Sequence, residues 1–292
     1  MSRLWALLLL LGLAPGSVVA QESPADGRDQ ASQIAQVEAL LDKATAAIAA
    51  VEAYSGILVK RERIGRELKT ERHEFKFARP FKVYIKGIEP NAGQEAIYVE
   101  GWNDGRVRAH LGHFPDITVN LDPRGRRAMK NNHHPITSFG LENTLRITAN
   151  NIRKAIRRCE GTFKVTSDII FGQPVSRIDV HYSKGGRHME VRKGEDLWDI
   201  AERAGQNMYV ILHHNPGIDS PRDVDAGDRV FVPCHYAGRG EYFIAEDTNM
   251  LLKASSWDHL DELFESYAYP TLVLDTELTD EDFNPKNEAY DF

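Results

Sequence analysis

Apolar residues recur at three- and four-residue spacing from Ile34 through Val37, Leu41, Ala44 and Ile48 to Val51, which predicts a long amphipathic helix. The period then changes. Ile57 and Val59, Phe75 and Phe77, Val83 and Ile85, and Ile97 and Val99 occupy alternate positions, the spacing of half-buried antiparallel strands facing that helix. Gly65-Arg66, Arg79-Pro80 and Asn103-Asp104-Gly105 punctuate the runs as turns, and the charged alternates Lys60, Glu74, Lys76 and Lys86 are expected to face water. A second helix is predicted from Leu141, Leu145, Ala149, Ile152 and Ile156, with Thr137 or Ser138 as its cap. Strands resume at Phe163–Val165 and Val175–Tyr182, and again at Glu241–Asp247.

Between those last two strands the pattern shortens. Met189 and Val191 alternate as a short strand, and Gly194 turns the chain into a helix carrying Leu197, Ile200, Ala201 and Ala204 on one stripe. Gly205 stops it, Asn207 caps a second short helix with Val210 and Ile211 inward, and Asn215-Pro216-Gly217 ends that one. Val230 and Val232 share a face of a closing strand. The joints Ser183-Lys184-Gly185-Gly186 and Ala237-Gly238-Arg239-Gly240 read as flexible hinges, so this βααβ unit of about 45 residues is expected as an insertion into a larger domain.

The run from Arg187 to Pro233, H-M-E-V-R-K-G-E-D-L-W-D-I-A-E-R-A-G, then N-M-Y-V-I-L-H-H-N-P-G-I and D-V-D-A-G-D-R-V-F-V-P, resembles a LysM module. That resemblance implies binding of N-acetylglucosamine polymers, peptidoglycan or a chitin-like glycan. The implied groove lies between Gly194, Glu195, Asp196 and Leu197 on one side and Asn215, Pro216, Gly217 and Ile218 on the other. Asp196 stands where such modules usually carry Thr, and Met189 where they carry Tyr.

A second resemblance covers most of the remaining chain. The long helix, then Tyr54-Ser55-Gly56-x-Leu58-x-Lys60-x-Glu62-Arg63, Phe75-x-Phe77-x-x-Pro80-Phe81-x-Val83-Tyr84, and the terminal Leu278-Thr279-x-x-Asp282-Phe283-x-Pro285-x-Asn287-x-x-Tyr290-x-Phe292 resemble LolA-like envelope proteins. The implied fold is α+β: a curved antiparallel half-barrel packed on helices, with a cavity that in lipoprotein carriers holds acyl chains. Lipid or a lipoprotein is thus an expected partner. The domain plan is a signal peptide over 1–20, a polar leader over 21–30, a discontinuous LolA-like domain over 31–186 and 237–292, and the LysM-like unit over 187–236.

Arg3, the apolar run Leu4–Leu13 and the small residues Val18-Val19-Ala20 before Gln21 form a cleavable secretory signal, directing the chain to the periplasm or cell envelope. A formal net charge of −7 argues against nucleic acid as a partner. Cys159 and Cys234 read equally as one disulfide, in an oxidising compartment, or as two buried thiols.

Catalytic signatures are missing: there is no Gly-x-Ser-x-Gly, no phosphate loop, no Gly-x-Gly-x-x-Gly and no His-Glu-x-x-His, and no motif implies a cofactor. His110-x-x-His113-x-x-Asp116 has a metal-like spacing but lacks a fourth ligand, and His133-His134 and His213-His214 are equally unsupported, so no metal is expected. The acids Glu277, Asp280, Glu281 and Asp282 read as a solvated tail. The expected function is non-catalytic glycan binding by the LysM-like unit. The alternatives are a wall-directed hydrolase without a local motif and an insert that is purely structural.

Overall fold

The computed structural model describes residues 27–292, so the predicted signal peptide and most of the leader lie outside the described residues. In chain order the elements are α1 (Gly27–Ala49), β1 (Ala53–Ile64), β2 (Glu67–Ala78), β3 (Lys82–Glu89), β4 (Glu95–Val99), β5 (Val107–His110), β6 (Thr118–Leu121), α2 (Leu141–Arg158), β7 (Gly161–Ile170) and β8 (Gln173–Tyr182). They continue with β9 (Gly186–Glu190), α3 (Leu197–Ala204), α4 (Met208–His213), β10 (Arg229–Pro233), β11 (Arg239–Ala245), β12 (Leu251–Trp257) and β13 (Leu263–Leu274). Eleven strands make one antiparallel sheet in the order β6-β5-β4-β3-β2-β1-β13-β12-β11-β8-β7. The last strand therefore returns to lie beside the first.

One face of the sheet is covered by α1 and α2. Val37, Leu41, Ala44 and Ile48 of α1 pack with Leu145, Ala149 and Ile152 of α2 against Tyr54, Leu58, Phe75, Phe77 and Val83. Each large aliphatic side chain so buried contributes about 1.5–3 kcal/mol. Helix α1 already includes Gly27, four residues inside the expected leader, and Gln30 fastens this end by donating to the Phe163 carbonyl at 3.1 Å.

The other face carries a second, smaller core. Tyr84 and Ile97 are cross-strand partners pointing away from the helices, and the C-terminal segment lays Phe283, Tyr290 and Phe292 over them. Tyr84 and Tyr290 stack at 4.1 Å, and Lys76 donates to Asp282 at 2.8 Å and to Tyr290 at 3.0 Å. The acids expected in a solvated tail are thus partly engaged, and Ile97 belongs to this outer core rather than to the helix-facing one.

On β1 the inward positions are Tyr54, Leu58, Lys60 and Glu62, while Ile57 and Val59 are half-buried. Because side chains alternate strictly, the whole strand presents its opposite set to the helices from the one its apolar spacing indicated. A lysine tolerates the inner face because Glu71 lies 2.7 Å and Glu62 3.4 Å from its ammonium.

Helix α2 is capped by neither Thr137 nor Ser138. Gly140 occupies the N-cap at φ 110°, and the Tyr54 hydroxyl accepts from Leu141 N at 2.9 Å. A Cβ on Gly140 would lie 2.6 Å from that hydroxyl, so the missing side chain makes room for the tyrosine to serve as cap.

β9 and β10 pair only with each other, and with α3 and α4 they enclose Met189, Val191, Leu197, Ile200, Met208, Ile211, Val230 and Val232. β8 and β11 are adjacent, His181 opposite Arg239, so the βααβ unit stands in the connection of a hairpin. Its joints are ordered. Tyr182 N donates to Gly238 O at 2.9 Å, Gly238 N to Trp257 O at 2.8 Å and Cys234 N to Gly185 O at 2.9 Å, where loose hinges were expected. Cys159 and Cys234 are both free thiols, the first exposed.

Candidate functional site

Two features converge where the βααβ unit meets the sheet. The first is a buried polar network. Glu62 and Glu265 lie directly opposite each other on β1 and β13, with relative exposures of 2% and 6%. His133 reaches between them from the β6–α2 connection. Its backbone N donates to Glu62 at 3.1 Å, its Nδ1 meets Glu265 at 3.1 Å and its Nε2 meets the Arg63 carbonyl at 2.9 Å. The Arg63 carbonyl can only accept, so Nε2 carries a proton, and an ionised Glu265 can only accept from Nδ1, which makes the ring an imidazolium. Burial disfavours that charge, but Glu62 and Glu265 outweigh it and raise the His133 pKa. Burial likewise works against an ionised Glu265, and His134 and His133 reverse it, holding that carboxyl well below the usual range.

Tyr236 donates to Glu265 at 2.6 Å, Tyr267 donates to Glu62, and His134 lies 3.1 Å from the Tyr236 hydroxyl. Among the described residues, Glu62, His133 and Glu265 form a trio whose ligand atoms lie within 4.8 Å of one another. Each of those atoms already has a hydrogen-bond partner, so the trio is a closed network rather than an open metal centre.

The second feature is a cleft of about 1970 Å³ on the far side of His133. One wall comes from the end of β1, the β1–β2 turn and the segment after β6, with Arg63, Arg66, Arg124, Arg126, Arg127 and Lys130. The opposite wall comes from the βααβ unit, with Trp198, Tyr209, Pro216, Ile218, Pro221 and Arg222. Arg63 lies 3.9 Å from Glu262 and Arg222 3.9 Å from Asp196, whereas Arg66, Arg124, Arg126, Arg127 and Lys130 form no ion pair among the described residues. The Arg124 guanidinium lies 5.8 Å from the centre of the Trp198 ring, bringing the two walls together. Asp122, Asp219, Asp258 and Glu262 also line the cleft but are outnumbered by its basic residues, so in a chain of net charge −7 this is a local concentration of positive potential, lined on one side by apolar surface.

At the floor, His133 is sandwiched between Tyr209 of α4, at 5.5 Å, and Phe264 of β13, at 4.3 Å. On the inner side of the network lies a separate cavity of about 120 Å³, bounded by Leu58, Ile85, Ile136, Phe139, Ile147 and Tyr269 together with Glu62, His134 and Glu265.

The residues singled out for glycan contact divide between lining and support. The loop opening α3 and the segment after α4 do meet, through Leu197 N to Pro221 O at 2.9 Å. Pro216 and Ile218 line the cleft, and Gly194 and Gly217 are exposed. Asp196 is the N-cap of α3, accepting from Trp198 N and Asp199 N, and Glu195 is held by Arg192 N at 2.9 Å and Arg203 at 2.8 Å. Leu197 is fully buried, so it supports the loop from beneath. Asn215 is spent internally: it donates to Ile211 O at 2.7 Å and Phe231 O at 2.8 Å and accepts from Phe231 N at 2.9 Å. It braces α4 against β10, with both amide hydrogens and one bond to its carbonyl oxygen committed to the backbone.

Of the histidine motifs, His110 meets Asp116 at 3.1 Å while His113 turns to the Phe114 carbonyl, so the three do not gather. The basic wall was visible in the sequence only as the run Arg124 to Lys130, and the Glu62–Glu265 pairing is set by the return of β13, which no local pattern announces.

No curated protein matches the chain. Among solved structures it is similar to MucB of Pseudomonas aeruginosa in its complex with MucA, at 10% identity and TM-score 0.41 over 85% of this chain and 60% of that one. It is also similar to lipoprotein LppX of Mycobacterium tuberculosis, at 12% identity and TM-score 0.38 over 83% and 97%, and to the LolA superfamily protein NE2245 of Nitrosomonas europaea, at 9% identity and TM-score 0.33 over 85% and 96%. The chain thus spans about 60% of the MucB chain it matches. These likenesses concern the fold and assign no ligand. Residues 51–214 match the family described as "Protein of unknown function (DUF1571)", and as this segment is more than half of the 292 residues, the chain belongs to that family.

Proposed function

We propose that the chain is a non-catalytic envelope protein that holds an acidic, N-acetylglucosamine-containing glycan in the cleft between its LysM-like βααβ unit and the sheet. The observation that carries this reading is the pairing of walls. Trp198, Pro216 and Ile218 offer apolar surface to sugar faces, while Arg126, Arg127 and Lys130, which form no ion pair, bring positive charge to the opposite wall and Arg124 lies over the Trp198 ring. A cleft of about 1970 Å³ exceeds the ~300–1,000 Å³ usual for small ligands and suits an extended chain. Positive potential favours peptidoglycan, with its carboxylates, over neutral chitin.

The LolA-like resemblance adds apolar cargo to this reading, and the cavity beneath α2 is its physical support. At about 120 Å³ it admits only part of an acyl chain unless α2 moves outward.

The test is retention of the chain on insoluble peptidoglycan and on chitin, alongside Trp198→Ala and the triple charge reversal Arg124→Glu, Arg126→Glu, Arg127→Glu. Retention on peptidoglycan above chitin, reduced in both variants, is expected. No retention of the parent chain, or equal retention of all three, overturns the proposal.

A further inference from the structure

The cleft holds a second group of histidines that the glycan reading does not use. His214 closes α4 in the βααβ unit, and His259 lies in the turn between β12 and β13 of the sheet. Their rings are 5.1 Å apart, centre to centre, and inclined at 66°. His214 Nδ1 lies 2.8 Å from the Val210 carbonyl, which can only accept, so the proton sits on Nδ1 and Nε2 carries a lone pair. That Nε2 is buried without a hydrogen-bond partner, and so are both ring nitrogens of His259. A buried polar atom left unsatisfied is costly, and three in one place call for a ligand that uses lone pairs.

We propose that His214 and His259 form a two-imidazole site for a borderline divalent cation such as Zn²⁺, with its remaining positions open to the cleft. Two imidazoles sharing one Zn²⁺ through nitrogens at ~2.1 Å and a tetrahedral angle place their ring centres about 5 Å apart, as here. The Val210 carbonyl supplies the outer hydrogen bond that fixes a ligating ring in the correct tautomer. Burial lowers the proton affinity of both rings, leaving them neutral at pH 7 as metal binding requires. The cleft provides the entry path, since both rings line it.

Beside them, His213 meets Asp258 at 2.8 Å, and Asp258 also accepts from Leu260 N and Glu262 N. With that carboxylate engaged, water or a ligand in the cleft completes the coordination. Imidazole ligands select Zn²⁺, Ni²⁺ or Cu²⁺ over Mg²⁺. Because one ring comes from each unit, the bound ion ties the βααβ unit to the sheet.

The test is calorimetric titration of the chelator-treated full chain with Zn²⁺ and with Mg²⁺, with His259→Leu and His214→Gln in parallel. His259 makes no hydrogen bond, so His259→Leu breaks none, and its thermal unfolding without metal checks the fold. One equivalent of Zn²⁺ is expected on the parent chain, bound at least about tenfold more weakly by each variant. Zn²⁺ is expected to raise the Tm of the parent chain and not that of His259→Leu. Zn²⁺ binding no tighter than Mg²⁺ binding, or unchanged in His259→Leu, overturns the proposal.

Discussion

Glu62 and Glu265 face each other across neighbouring strands at the centre of the sheet, two buried carboxylates where like charges directly opposite are ordinarily destabilising. Their coexistence depends on the cations gathered around them, Lys60 beside Glu62 and the His133 imidazolium beside Glu265, with His134 3.4 Å from Glu265 as well. The pair is the point at which β13, returning from the far end of the chain, is locked to β1. Glu265→Gln removes the countercharge of a buried imidazolium and is expected to cost about 3–5 kcal/mol of stability. Denaturant unfolding of the variant against the parent chain measures it, and a change below about 1 kcal/mol would show that the network is not held by charge.

The same network fixes a pH dependence. The folded pKa of His133 lies above the ~6.5 of an unfolded histidine. Between those two values the folded chain holds a proton that the unfolded chain has released, so this group's stabilisation is complete below pH ~6.5 and is lost as pH rises through the folded value. His214, His235 and His259 are shifted the opposite way, first by burial, so their contribution weakens as pH falls. The diagnostic quantity is therefore the difference in Tm between the parent chain and His133→Gln. That difference is expected to shrink as pH is raised from 6 towards alkaline values, and one that grows contradicts the assignment.

Asn215→Ala leaves Ile211 O, Phe231 O and Phe231 N without their side-chain partner. Ile211 O keeps His214 N as a donor at 3.1 Å, but each loss at Phe231 costs about 1–3 kcal/mol where the group stays dry, enough to loosen a unit with so small a core. Hydrogen exchange is expected to accelerate in α4 and β10 while β1 and β2 remain protected. Unchanged exchange in α4 would mean that water replaces the amide.

How much of this was legible in the sequence follows from the range of each interaction. The stripe on α1 and the βααβ order were readable because both depend on residues within two turns or two strands of each other. The inner face of β1 was not, since Lys60 is inward only by virtue of Glu71 on β2, and the apolar spacing of Ile57 and Val59 pointed the wrong way. Tyr54 as a cap for α2 spans 87 positions, and Gly140 reveals nothing of it alone. Pro216 and Ile218, named from a local motif, line the cleft. The cationic wall facing them belongs to a different part of the chain, and Asn215 is the residue type that a sugar site requires but is committed to the backbone.

Phe283→Ala tests the C-terminal cover. The side chain is 4% exposed and anchors the segment over Tyr84 and Ile97, so its truncation is expected to free residues beyond about 277 by a local opening rather than by global unfolding. Limited proteolysis should then cut in that segment with the rest of the chain intact. Cleavage spread through β3 and β4 instead would show that the cover is integral to the sheet.

The two ends of the βααβ unit leave the sheet from adjacent strands, at Tyr182 and Gly238. A load placed on the unit therefore falls on β8 and β11 together and does not draw the two strands apart. Side contacts share that load: His213 to Asp258, Lys154 to the Cys234 carbonyl and the stacking of Tyr209 on His133. Those three contacts spread a load on the unit over α2, the β6–α2 connection and the β12–β13 turn, away from the two joints.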